Sequence, residues 1–340
     1  MNIPYRTQRR LRSIGTFLLV LAVVAAVCWL CWLLWLGRFV VYTREGVILD
    51  FDKSNQQMSG QLAKPPEHRP SVDIFYNEGD NAVNTGRELL QLQGYYASAQ
   101  DLRKNLAAVR EQIGKLSDGA AVMIDVKSIV GSFFYSSQVG SKRDSKINPT
   151  AMDELIEEIN SRGLYTIAML PAFQDNEYGR SHYADGLAAP GGYLWMDADG
   201  SRCYWLNPTT QGTISWLTRI VSELRGLGFD EVCFYDFKFP DTDDIVFKGD
   251  KKQAIATAAE TLVTACSTYS FAVSFVGDAG FALPEGRSRL YMENVSAAQC
   301  AEQAEKTGIL NPDIRVVFLT DTHDTRFNDY GVLRPIGTVE

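Results

Sequence analysis

The chain has 340 residues, 46% of them hydrophobic and 22% charged, proportions of an ordinary globular protein that exclude wholesale disorder. Its formal net charge of −8 argues against nucleic acid as a partner, because binding phosphates takes a basic face. The length allows one or two domains.

Residues 1–12 form a basic tail carrying Arg6, Arg9, Arg10 and Arg12. Residues 13–37 follow without a single Asp, Glu, Lys, Arg or His, and a helix needs roughly 20 apolar residues to cross a bilayer. Trp29, Trp32 and Trp35 gather toward the far end of this run, where an aromatic belt is expected. Beyond it stand only Arg38 and Arg44, so the positive-inside bias predicts a cytoplasmic N-terminus and an extracytoplasmic remainder. A cleaved signal peptide would have a shorter apolar stretch of about 7–15 residues ending in small side chains. Here the run ends in Trp32-Leu-Leu-Trp-Leu36, which favours an uncleaved membrane anchor.

Residues 38–90 read as a stalk or linker with local strands at Val47–Phe51 and Val72–Tyr76, separated by a stiff proline-rich stretch at 64–70. From residue 91 to 340, short apolar runs alternate with helical periodicity. Strands are expected near 92–97, 120–126, 164–170, 231–237, 271–276, 289–293 and 314–320, and helices near 101–116, 149–161, 213–227, 251–268 and 297–307. Gly163 and Gly228 stand where glycine closes a helix. The order implies parallel strands with helical crossovers, and the size suits a (β/α)8 TIM-barrel-like domain. The eighth strand, near 331–337, is the incomplete one, because it is short and contains Pro335. An open doubly wound sheet is the alternative, disfavoured by the lack of a glycine-rich nucleotide loop after the first strand.

In such a barrel the active groups sit at the C-terminal ends of the strands. Those ends carry Asp125, Asp175, Asp236, Asp278, Glu293 and Asp321. Asp and Asn also begin turns and helices, so each acid alone has a structural explanation. Lys127 and Lys238 lie two residues beyond Asp125 and Asp236, a spacing that puts each pair on one face of an extended chain. A nearby lysine favours the charged carboxylate. Paired carboxylates across a cleft are the chemistry of glycoside hydrolysis, with one as acid and the other as nucleophile or base. Asp236 is the expected nucleophile or base, Glu293 the general acid, and Asp125 an orienting or alternative acid. Lys127, Lys238, Asp175, Asn207 and Asp321 are expected to bind substrate. Trp195 and Trp205 lie close together outside any helix and offer flat surfaces for sugar rings; packing over a barrel end is the structural alternative. No cofactor or metal is expected, since His68, His182 and His323 show no ligand spacing.

Several of these segments, in this order, resemble the glycosyl hydrolase domain family of bacterial proteins: Ala121–Lys127 with Gly131, Ala168–Asp175, Trp195–Pro208, and Glu223 with Leu227–Glu231 through Pro240. The resemblance implies a TIM-barrel glycosidase over roughly residues 92–340. It also exposes a departure. Family members end the fourth strand with F-D-Y-I-R-F-P, whereas this chain has Phe234-Tyr-Asp-Phe-Lys-Phe-Pro240. The acid has moved by one position, which reverses the face of a strand side chain unless the backbone bulges. Lysine also cannot copy the guanidinium fork.

The expected function is thus a membrane-anchored glycoside hydrolase of a cell-envelope or extracellular glycan. The alternative is a catalytically silent glycan-binding or scaffold domain, and a metal-dependent hydrolase is a third option. The expected partners are a polysaccharide or cell-wall glycan and, through the N-terminal helix, the lipid bilayer.

Overall fold

A computed structural model describes residues 89–197 and 203–339, together with 24, 25, 28, 29, 40–43 and 46–49. The chain divides into two units, Met1–Asp80 and Asn81–Glu340. In the first, β1 (Val40–Thr43) and β2 (Gly46–Leu49) pair antiparallel, with Val40 opposite Leu49 and Thr43 opposite Gly46. The strand expected from Val47 therefore pairs with the residues just before it. The second expected stalk strand, Val72–Tyr76, and the proline-rich 64–70 lie outside the described residues. So does the expected membrane helix 13–37, apart from Val24, Ala25, Cys28 and Trp29, which are helical. Among the described residues no helix is long and apolar enough to cross a membrane.

The second unit is a closed barrel of eight parallel strands. They are β3 (Gln93–Ala97), β4 (Ala121–Asp125), β5 (Tyr165–Pro171), β6 (Glu231–Tyr235), β7 (Ala272–Val276), β8 (Leu290–Glu293), β9 (Val316–Leu319) and β10 (Gly331–Pro335). Around them stand α1 (Ala99–Gly114), α2 (Pro149–Ser161), α3 (Asn176–Ser181), α4 (Gln211–Gly226), α5 (Lys251–Cys266), α6 (Cys300–Lys306) and α7 (Pro312–Arg315). Helix starts follow from local chemistry. Ser98 and Asp101 form a capping box on α1, and Asn148 caps α2 with Pro149 in its first turn.

The eighth strand is complete enough to close the ring. β10 pairs with β9 from Gly331 to Leu333 and with β3 from Val332 to Pro335. Pro335 is tolerated because pairing with β9 has already ended, so its missing N–H deprives no ladder partner.

Side chains alternate along every strand. Met123, Ile167, Cys233, Tyr291, Val317 and Leu333 fill the inside of the barrel. Val122, Ile124, Val232, Phe234, Val273 and Phe275 point outward into the helical layer. Strands buried on both faces read as nearly continuous apolar runs, which is why they stand out in the sequence.

The foot of the barrel is closed by polar groups. Glu231, the first residue of β6, and Arg289, just before β8, form an ion pair with both side chains fully buried. Glu231 also accepts hydrogen bonds from the hydroxyls of Tyr165 and Tyr291, each at 2.8 Å. Arg289 donates to Tyr165 Oη at 3.0 Å, to the Leu90 carbonyl at 2.8 Å and to the Ile314 carbonyl at 3.1 Å. A buried pair survives only when its remaining donors and acceptors are answered, as they are here.

Candidate active site

The other end of the barrel opens into a cavity of about 1380 Å³. Asp125 is the last residue of β4 and Glu293 the last of β8, two positions beyond the inward-facing Met123 and Tyr291, and both line this cavity. The same alternation on β6 makes Tyr235 the inward residue at the strand end. Asp236 comes next and would point outward in a continuing strand. Instead the strand stops, and Asp236 takes a left-handed conformation with φ of 50°. That turn costs roughly 1–2 kcal/mol for a residue with a Cβ, and Asp236 lines the cavity beside Tyr235. The one-residue displacement is thus absorbed by the backbone. Asn294 follows Glu293 with φ of 58° and also lines the cavity.

Three carboxyls from alternate strands therefore share one mouth, and each is held above the usual carboxylate range. For Asp125 the cause is burial, which pushes it up to about 6 against the opposing pull of the Ala99 N–H, 2.6 Å from Oδ2, and of Arg103. For Glu293 the causes are the cavity walls and then the negative charge of Asp236. For Asp236 burial comes first, opposed by Lys238 and reinforced by Asp197. Lys238 is exposed and lines the cavity.

Lys127 is elsewhere. Its Nζ lies 2.7 Å from Asp175 Oδ2, with side-chain exposures of 2% and 1%. The same Asp175 oxygen accepts from Trp216 Nε1 at 3.0 Å, while Oδ1 caps α3 through the Tyr178 N–H at 2.9 Å. β4 ends at Asp125, so the two-residue alternation that would align Lys127 with it no longer holds there. Gly131 passes close to this pair with φ of 82°, and a Cβ there would fall 2.5 Å from Asp175 Oδ1. The substrate-binding roles expected for Lys127 and Asp175 are corrected: together they anchor the loop after β4.

Trp205 needs the same correction. Its ring is 4% exposed, outside the cavity lining, and its Nε1 donates to Asp197 Oδ2 at 2.8 Å. Trp195 is half-buried against the core with its ring 6.3 Å from that of Trp205, and it does not line the cavity either. The segment folds back onto the barrel, with the packing outcome prevailing over an open sugar platform. Asn207 shapes the turn into α4, accepting from the Thr209 N–H at 3.0 Å and Oγ1 at 2.8 Å. Asp321 is exposed at the end of β9, outside the lining but near enough to Tyr96 to raise its phenol further. Glu223 accepts from Tyr135 and Ser137 and so fastens the loop after β4 onto α4.

Among the cavity residues that the sequence reading did not single out are Tyr96 and Tyr235. Counting inward positions from the first residue of β6 reaches Tyr235, a signal hidden by attention to the neighbouring acid. Both phenols are raised, by burial first and then by nearby carboxylates, Asp125 and Asp236 among those acting on Tyr235. Among the described residues no group of three His, Cys, Asp or Glu is placed to hold a metal.

No curated protein matches the chain. Among solved structures it is similar to a hypothetical protein from Ruminiclostridium thermocellum ATCC 27405, at 18% identity and a TM-score of 0.45, over 53% of this chain and 96% of that one. It is similar to a GH20 exo-β-N-acetylglucosaminidase from Vibrio harveyi at 11% identity and 0.48, over 67% and 41%. It is also similar to an α-galactosidase from Thermus thermophilus at 15% identity and 0.41, over 56% and 39%. The chain thus spans less than half the length of either enzyme. Residues 94–276, more than half of the chain and the stretch that carries Asp125 and Asp236, match the family described as a putative glycosyl hydrolase domain, and the protein belongs to that family.

Proposed function

We propose that the protein is a membrane-anchored glycoside hydrolase acting on a cell-envelope or extracellular glycan. The observation that carries this reading is the meeting of Asp125, Asp236 and Glu293, from three separate strand ends, on one cavity. Hydrolysis of a glycosidic bond needs one carboxyl that is protonated and one that is charged. Burial raises both carboxyls; the Lys238 charge opposes that rise on Asp236, whereas the Asp236 anion adds to it on Glu293. The opposite signs of these neighbouring charges, Lys238 beside Asp236 and Asp236 beside Glu293, are the basis for the roles. Glu293 is the general acid, Asp236 the nucleophile or base, and Asp125, tied by one oxygen to the Ala99 N–H, orients the sugar or serves as a second acid.

The apolar run 13–37 and the arginines before it support a bilayer tether with a cytoplasmic N-terminus and an extracytoplasmic barrel. Protease treatment of intact and lysed cells tests this topology. The hydrolase is tested on a panel of cell-wall and exopolysaccharide glycans, comparing wild type with Asp236→Asn and Glu293→Gln. Turnover lost in both variants supports the assignment, and equal turnover in all three removes it. A silent glycan-binding domain is the second reading, favoured by the tyrosine at the inward end of β6 where the alternate strands β4 and β8 carry acids. It predicts binding by all three proteins and turnover by none.

A further inference from the structure

The polar floor of the cavity comes from alternate strands: Asp125 on β4, Tyr235 on β6 and Glu293 on β8. The intervening β5 and β7 contribute Met169 and Val276. Tyr235 differs from the tyrosines packed elsewhere in the barrel. Tyr135, Tyr165, Tyr178 and Tyr291 each give their hydroxyl to a carboxylate, at distances of 2.8 to 2.9 Å. Among the described residues the Tyr235 hydroxyl meets no hydrogen-bond partner, although Asp125 and Asp236 are both close enough to act on it electrostatically. Tyr235 is half-buried, and closing its hydroxyl off from water without giving it a partner is unfavourable. A ligand that displaces solvent from this floor must therefore bring its own acceptor.

We infer that Tyr235 is a substrate-contacting residue, a neutral donor that binds a hydroxyl or ring oxygen of the sugar seated between Asp125, Asp236 and Glu293. This rests on the glycan reading of the cavity. The neighbouring anions and burial keep the phenol protonated across the physiological range, so it donates and does not attack. Its neutrality matters. A lysine or arginine at this place would pull the surrounding carboxyls down and remove the proton that a general acid needs. Ionised carboxylates can only accept, so a sugar hydroxyl donating to Asp125 finds in Tyr235 the complementary donor for an adjacent oxygen. Such a floor selects polyhydroxylated neutral rings over deoxygenated ones.

The test is Tyr235→Phe, with Tyr269→Phe on the exposed surface as control. The probes are p-nitrophenyl glycosides of the neutral hexoses and N-acetylhexosamines, and binding is read by calorimetry alongside turnover. Tyr235→Phe is expected to weaken the best-bound probe about 10- to 100-fold, the range of one hydrogen bond to a ligand in a closed site. Its melting temperature should stay unchanged, since no protein hydrogen bond is lost. Weakened binding without turnover in any variant leaves this inference standing and removes the hydrolase. Turnover by wild type with unchanged affinity and rate in Tyr235→Phe does the reverse. A wild-type protein that binds none of the probes overturns both.

Discussion

Lys127 and Asp175 hold each other across 2.7 Å in a place closed to solvent, with Trp216 and the first turn of α3 answering the remaining carboxylate positions. Removing one partner leaves a buried charge unanswered, at a cost of about 3–5 kcal/mol. Asp175→Ala is predicted to lose that much in urea unfolding, while folded protein keeps its affinity for glycan. Selective loss of glycan affinity at full stability would instead return Asp175 to the binding site. Gly131→Ala presses on the same carboxylate from a left-handed position and should destabilise by more than about 1 kcal/mol.

Asp125 couples stability to pH. Its native pKa of about 6 exceeds the ordinary value of 3.8, so the folded state holds its proton more tightly than the unfolded state. The stabilisation this gives is present at low pH and is lost as pH rises through the window from about 4 to 6, by about 2–3 kcal/mol. Asp125→Asn keeps an acceptor for the Ala99 N–H and removes the charge. It is expected to flatten that part of the pH–stability curve and to be more stable than wild type at pH 8 in urea unfolding. A variant less stable than wild type at pH 8 would contradict the account.

Trp205→Ala empties a well-packed site under the loop after β5, and burial of this kind is worth about 3–5 kcal/mol. The expected result is a lowered melting temperature. Unchanged stability with weakened sugar binding would restore the stacking platform that the sequence suggested.

Asp236 carries backbone strain at the mouth of the barrel. Asp236→Gly relieves about 1 kcal/mol of left-handed strain, partly offset by the entropy glycine loses on folding. Thermal unfolding should show a melting temperature equal to or above wild type, together with abolished turnover. A clear fall in melting temperature would mean that the side chain supports the fold.

The barrel was legible because strands buried on both faces and helices with one apolar face leave periodic marks. The acids at strand ends were legible as a set, since Asp125 and Glu293 obey the alternation. What failed was alternation carried past a strand's end. Lys127 lies beyond β4, where the chain leaves the sheet, and its partner Asp175 comes from a distant loop that no local spacing reveals. Asp236 reaches the cavity through a left-handed turn, which one aspartate in a sequence does not announce. Trp205 failed for another reason: aromatic clusters look alike whether they stack on a sugar or on their own protein. Pro335 misled in the opposite direction, because its effect on β10 depends on where pairing with β9 stops.

The central claim is that Glu293 supplies a proton to a leaving group while Asp236 works on the sugar itself. Its most direct measurement compares one sugar carrying a p-nitrophenyl or a methyl leaving group, in wild type, Glu293→Gln and Asp236→Asn. A nitrophenolate departs without a proton, so Glu293→Gln should keep most of its rate on the aryl glycoside and lose about 100- to 10,000-fold on the methyl glycoside. Asp236→Asn should lose both. Equal losses of the two substrates in Glu293→Gln, or full activity in Asp236→Asn, would contradict the account.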